Sequence, residues 1–339
     1  MLEEKRTPRQ RLQRFALPVL GISLSVAGLI YVYRDFEFEA FLASITDIHI
    51  APLLGTLISY WLGVVLIRSF LIRHLLKSVG NVPISGAYRF ICIGFLANNV
   101  LPFRAGEMAR SAAIHRGTGL RFSSVIGGLA LERMLDMGML ALLSLLALQM
   151  APLPAYIRNT VFGTALAVAA GLVIAVILSQ RNWHEADARE RGRIHAFIWN
   201  NWVRFSDGFG ALARPGAIAS AVALIIGIWA CALLAMAFRL EALGIHATPA
   251  LALTLLTCIG FGVAVPSMPG YAGPYHLAAA FALELHGVNH VTAGAFAMFS
   301  WVVDIGMGSA MGAVSLSIEG LRFKDLKRRK SLSTERKTV

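Results

Sequence analysis

The sequence predicts an all-α integral membrane protein, a polytopic helical bundle built from two repeats of inverted topology. Three observations lead there. Of 339 residues, 57% are hydrophobic and 15% are charged. A soluble chain carries about a quarter charged residues, and several apolar runs here reach the ~20 residues that cross a bilayer as a helix. Second, one broken apolar stretch occurs twice: Ile93 to Gly106 (IGFLANNVLPFRAG) and Ile259 to Gly273 (IGFGVAVPSMPGYAG). Both open on Ile-Gly-Phe, both close on Pro-x-x-Ala-Gly, and each is followed by Asp-x-Gly-Met, at Asp136 and Asp304. The copies are offset by 166 positions at Ile93/Ile259, 167 at Pro102/Pro269 and 168 at both Asp136/Asp304 and Trp61/Trp229. Ordered matches at nearly one spacing indicate a duplicated unit, a habit of membrane transporters. Third, the basic residues cluster at the ends of hydrophobic runs, where they orient spans.

Taken in order, residues 1–14 are a polar, basic cytoplasmic segment. Repeat 1 occupies 15–150 and repeat 2 occupies 151–320. Phe15 to Tyr33 lacks a small-residue cleavage site and is expected to be a retained span. Ala51 to Ile72 is the second span, and its Arg68 is expected to snorkel to the interface, with a substrate contact as the minority reading. The first broken segment starts at Ile84, and its basic flank runs to Arg121. Ser123 to Met150 is a span interrupted by Glu132, Arg133 and Asp136. Ala151-Pro-Leu-Pro154 makes a turn, and Tyr156 to Ser179 is a clean span. Residues 180–215 form an Arg-rich loop. Its stretch Ile194 to Phe209 reads as an amphipathic surface helix, taken as an interfacial spacer without specific partners. Gly216 to Leu240 spans again, 249–288 is the second broken segment, and Val291 to Ile318 is the last span. The tail, 321–339, is basic and cytoplasmic, with the composition of a disordered segment.

The positive-inside rule decides how the broken segments run. If Ile84 to Pro102 crossed fully, the basic stretch Arg104 to Arg121 would lie outside, and so would 180–215. If it enters and returns, both basic stretches lie inside and the Ala151 turn lies outside. The second broken segment then enters from outside. Each repeat has three full spans and one re-entrant segment, and the odd number inverts the second. A backbone broken within the membrane must bury its freed N–H and C=O groups in protein or line a water-filled cavity. The expected cavity has the helix N-terminus beyond Pro102, with Arg104 beside it, as a seat for a phosphate or other anion.

Glu132 and Asp136 are four apart, on one helix face. Arg133 lies off that face and needs another partner, Asp304 or Glu107. Two readings stay open: a salt-bridged cluster that fixes packing, or a carboxylate that titrates or binds a headgroup during transport. By their matched positions, Asp136 and Asp304 are expected to flank one central site with Arg133 as shared counter-ion. His276 reads as a satisfied structural residue or as a liner of the outer cavity. Cys92, Cys231 and Cys258 have no metal spacing. There is no P-loop, no His-Glu-x-x-His and no Gly-x-Ser-x-Gly, so neither ATP drive nor an enzyme is expected, nor a cofactor or metal. The net charge of +12 belongs beside anionic lipid rather than nucleic acid.

Asn98-Asn99-x-Leu-Pro102-x-Arg-x-Gly-Glu107, the run Ser124 to Glu132-Arg133 and Asp136, and Pro266-Ser267-x-Pro269-Gly270-Tyr271-x-Gly273 together resemble the lysylphosphatidylglycerol synthase transmembrane, flippase-like family over roughly residues 15–320. The resemblance implies lipid flipping. In multiple peptide resistance factors such a domain is fused to an aminoacyl-transferase, which these residues do not contain, so synthesis of lysyl-lipid by this chain alone is not expected. Pro274 directly after Gly273, and His276, depart from the family pattern. The expectation is a lipid transporter of the bacterial inner membrane with both termini cytoplasmic. Its substrate would be a membrane lipid with an anionic or phosphorylated headgroup. The residues expected to face it are Asn98, Asn99, Arg104, Glu107, Glu132, Arg133, Asp136, Ser267, Tyr271, His276 and Asp304. The alternatives are an integral-membrane enzyme acting on a headgroup through Glu132 or Glu107, or a membrane anchor for a separate transferase. The sequence leaves room for a homo-oligomer.

Overall fold

The structure, a computed structural model, describes residues 8–34, 39, 46–101, 105–150, 155–180, 193–214, 216–265 and 267–320. Among them there is no strand. The helices are α1 (Pro8–Tyr33), α2 (Ile50–Leu76), α3 (Ile84–Val100), α4 (Gly106–Thr118), α5 (Phe122–Met150), α6 (Ala155–Gln180), α7 (Arg193–Asp207), α8 (Ala217–Ala242), α9 (Pro249–Gly262), α10 (Pro274–Leu285) and α11 (His290–Ile318). Four of them, α2, α6 (as Ala155–Ile177), α8 and α11, are long and apolar enough to cross a membrane. The 29 residues of α5 match α11 in length, and its charges are buried in ion pairs. The Pro102–Arg104 tip, the 151–154 turn, most of the Arg-rich loop and the tail lie outside the described residues.

The two broken segments are helical hairpins. None of their arms exceeds the 17 residues of α3, short of the length that spans a bilayer. In each hairpin the two arms pack on one another, α3 on α4 and α9 on α10. Local chemistry sets the starts. Thr248 caps α9, its Oγ1 accepting from Leu251 N–H, with Pro249 at the first helical position. Such a proline gives up only an N–H that had no helical partner. In the first hairpin, Asn98 Oδ1 accepts from Gly106 N–H at 2.8 Å. Gly106 has no room for a side chain: a Cβ there would overlap the Gly94 carbonyl oxygen and the Asn98 amide. Gly106→Ala is therefore expected to part the arms and cost about 1–3 kcal/mol, read as a lowered melting temperature in detergent.

Packing between the halves follows an exchange. Hairpin arm α3 lies on α11, and its counterpart α9 lies on α5. The matched helices α2 and α8 pack on each other, α6 lies on α5, and α1 lies on α10. The first arm of each hairpin thus lies against the last helix of the other half, and the second arm against the last helix of its own.

Within α2, Trp61–Ile67 is wound as a π-helix ending at Arg68. No sequence signal announced it, and such segments concentrate at functional sites. The loop helix α7 has specific partners, contrary to the spacer expected from its amphipathic pattern. It packs on α5, Ser123 Oγ donates to Asn201 Oδ1 at 2.8 Å, and Gly208 meets the Gly127–Gly128 backbone with no space for a Cβ on either side.

Candidate functional site

Arg68 does not snorkel. Its side chain is 11% exposed and its Nη1 donates to Glu132 Oε1 at 2.7 Å and Asp136 Oδ2 at 2.6 Å. It follows directly on the π-wound segment of α2 and reaches the charged face of α5. Glu132 is fully buried and also accepts from Arg110 Nη2 of α4 at 2.9 Å. Arg110 Nη2 reaches Glu107 at 3.0 Å, and Glu107 in turn pairs with Arg133 Nη2. Arg133 Nη1 stands 3.6 Å from Asp136, and Trp229 Nε1 of α8 donates to Asp136 Oδ1 at 3.3 Å. Three carboxylates, Glu107, Glu132 and Asp136, thus interleave with three guanidinium groups, Arg68, Arg110 and Arg133. Fully paired charge is what makes such a cluster tolerable away from water.

The second half carries a smaller counterpart. Arg239 of α8 donates from Nη1 to Asp304 Oδ2 at 3.0 Å and to Ser300 Oγ at 2.9 Å, and from Nη2 to Asp304 Oδ1. Tyr275 O–H donates to Asp304 Oδ2 at 2.9 Å and shares a 2.8 Å hydrogen bond with Ser300. In both halves, then, an arginine on the second helix holds the matched aspartate of the last. The expected sharing of Arg133 is overturned: Asp304 has Arg239, and Arg133 serves Glu107 and Asp136.

Between these centres lies a cavity of about 260 Å³. Both hairpins frame it, the first through Asn98 and Asn99 near the end of α3, the second through Gly270 and Tyr271. Arg68, Arg133 and Asp304 are its charged liners, with Tyr60, Tyr275 and Trp301. Asn99 Nδ2 donates to the Ile305 carbonyl at 3.2 Å and to Ser309 Oγ at 3.0 Å, which fixes the first hairpin to α11 beside Asp304. Trp301 Nε1 donates to the Gly270 carbonyl at 2.7 Å, which fixes the second. Tyr271 is the one non-glycine with positive φ (60°) among the described residues, a conformation that costs of order 1 kcal/mol and concentrates at functional sites.

The expected site residues therefore divide. Asn98, Asn99, Arg133, Tyr271 and Asp304 reach the cavity. Glu107, Glu132 and Asp136 stand behind its arginines. Ser267 is buried, with Oγ 3.5 Å from the Met268 carbonyl. His276 is buried behind Tyr275 and Trp301, its Nδ1 accepting from Gly273 N–H at 3.3 Å. Arg104 lies outside the described residues. The α4 N-terminus expected to seat an anion is engaged by Asn98 and carries Glu107 in its first turn. Arg68, Arg110, Arg239, Tyr275 and Trp301 were missed as site residues. The signal for two of them was present: Arg68 and Arg239 are the arginines inside apolar spans of matched helices.

Compared with known families, residues 19–312 match the profile of the lysylphosphatidylglycerol synthase TM region, so the chain belongs to that family. Comparison with curated proteins and with solved structures gives no match.

Proposed function

We propose that this member of the lysylphosphatidylglycerol synthase transmembrane family moves a polar or phosphorylated lipid headgroup between leaflets of the bacterial inner membrane, by way of the central cavity. The observation that carries this reading is the meeting of both hairpins at one polar cavity with two guanidinium groups in its wall. In the arrangement we infer, both termini are cytoplasmic and the hairpins enter from opposite faces. A headgroup then exchanges between faces by rocking of one half against the other. Arg68 and Arg133 supply donors for phosphate oxygens. Acid–base chemistry at Glu132 is the poorer reading, because its oxygens already accept from Arg68 and Arg110 within the core.

Arg133 gives the test. Its side chain is 33% exposed at the cavity, and each of its acids keeps another arginine when it is removed, Glu107 keeping Arg110 and Asp136 keeping Arg68. Arg133→Ala should therefore retain the fold. Translocation of a fluorescent phospholipid in liposomes should fall on the order of 10- to 100-fold, the value of a lost charge-assisted contact. Unchanged translocation in a folded variant removes the cavity from the pathway.

A further inference from the structure

Among the described residues the charges around the cavity balance, and they are divided between its sides. On the first-half side, Arg68 and Arg133 stand before Glu107, Glu132 and Asp136, with Arg110 completing the balance. On the second-half side, Asp304 stands before Arg239. An ion of either sign entering this small space finds its complement already matched, and an uncompensated buried charge is costly. A headgroup that carries both charges and is itself neutral meets guanidinium donors on one wall and a carboxylate on the other.

The second wall specifies which cation. Arg133 and Trp301 occupy matched places on α5 and α11, 168 positions apart. Where the first half presents a guanidinium, the second presents an indole. Tyr271, Tyr275 and Tyr60 line the same cavity beside Asp304. The Asp304 oxygens already accept from both Arg239 amino groups and from Tyr275 O–H. Little acceptor capacity remains for the three N–H groups of a primary ammonium. A quaternary ammonium needs none: aromatic faces and a nearby negative charge are what bind it. The Tyr271 backbone is held in its costly left-handed conformation beside the Trp301–Gly270 bond, as expected of a turn built to present a side chain.

We propose that the cavity takes a phosphocholine-type headgroup, with its phosphate diester on the Arg68–Arg133 side and its quaternary ammonium among Trp301, Tyr271 and Asp304. This rests on the transporter reading and names its substrate class.

The experiment compares acyl-labelled phosphatidylcholine, phosphatidylethanolamine, phosphatidylglycerol and lysyl-phosphatidylglycerol in liposomes containing the full chain. Wild type should move phosphatidylcholine fastest. Trp301→Leu should slow phosphatidylcholine about tenfold more than it slows phosphatidylglycerol, and Trp301→Phe, which loses the same bond to the Gly270 carbonyl but keeps an aromatic face, should restore most of the wild-type ratio between the two. Equal or faster movement of any of the other three lipids by wild type overturns the headgroup assignment and leaves the transporter reading standing. So does an equal loss for every lipid in Trp301→Leu. The ranking in wild type decides the matter even if both variants misfold. Movement of none of the four removes the transporter reading, and this inference with it.

Discussion

Arg68→Ala is expected to leave little folded protein. The substitution removes two short ion pairs at once, to Glu132 and Asp136, whose side chains are 0% and 4% exposed. Glu132 retains Arg110, at 2.9 Å. Asp136 retains Trp229 and an arginine no closer than 3.6 Å. An anion stranded in this way costs on the order of 3–5 kcal/mol, a large share of the 5–15 kcal/mol that stabilises a typical domain. Melting followed by size-exclusion in detergent should show a lost or strongly lowered transition. Arg68→Ala combined with Asp136→Ala should recover part of it, since the stranded charge goes with its partner. Lysine at 68 should recover less than native stability, because it lacks the fork that spans Glu132 and Asp136 together. A single alanine variant that melts with the wild type would mean that the cluster does not hold α2 to α5.

Much of the fold was legible before any coordinates. The duplicated Pro-x-x-Ala-Gly stretches marked both hairpins, because a proline and paired glycines within an apolar run leave the backbone no uninterrupted helix. Element positions followed from apolar run lengths to within a few residues, as for Tyr156 to Ser179 against Ala155–Gln180. What sequence could not supply was partner choice. Arg68 sits four residues before Ile72, and run length alone places it near an interface. Its reach to α5, directly after the π-wound segment, leaves no pattern in composition. Arg239 likewise lies near the end of its apolar run. Arg133 needed a partner, and sequence offered both Glu107 and Asp304. Packing within the first half chose Glu107, because α4 lies on α5, while Asp304 is claimed by α8 from its own half. Nothing local to Trp301 and Tyr275 shows that the second hairpin folds back against α11.

The matched aspartates are expected to answer differently to one substitution. Asparagine keeps the shape of aspartate but loses the charge that an arginine requires. At Asp136 that charge faces Arg68 within the closed cluster, and the side chain is 4% exposed. Asp136→Asn leaves Arg68 leaning on Glu132 alone, and Glu132 is already shared with Arg110. Stability should fall by several kcal/mol, with any transport lost in proportion to folded protein. At Asp304 the carboxylate is 29% exposed at the cavity, and Ser300 continues to accept from Arg239. Asp304→Asn leaves Arg239, whose side chain is 4% exposed, with no carboxylate among the described residues, so it too should lower the melting temperature, but transport should also be lost in the molecules that remain folded, because the cavity wall has exchanged its one described carboxylate for a neutral amide. Melting temperature and translocation per folded molecule, measured side by side on the two variants, separate these roles. Transport lost only in proportion to folded protein in both variants would make both aspartates packing elements. Full transport by folded Asp304→Asn would remove the carboxylate from the pathway while leaving Arg68 and Arg133 as its polar wall.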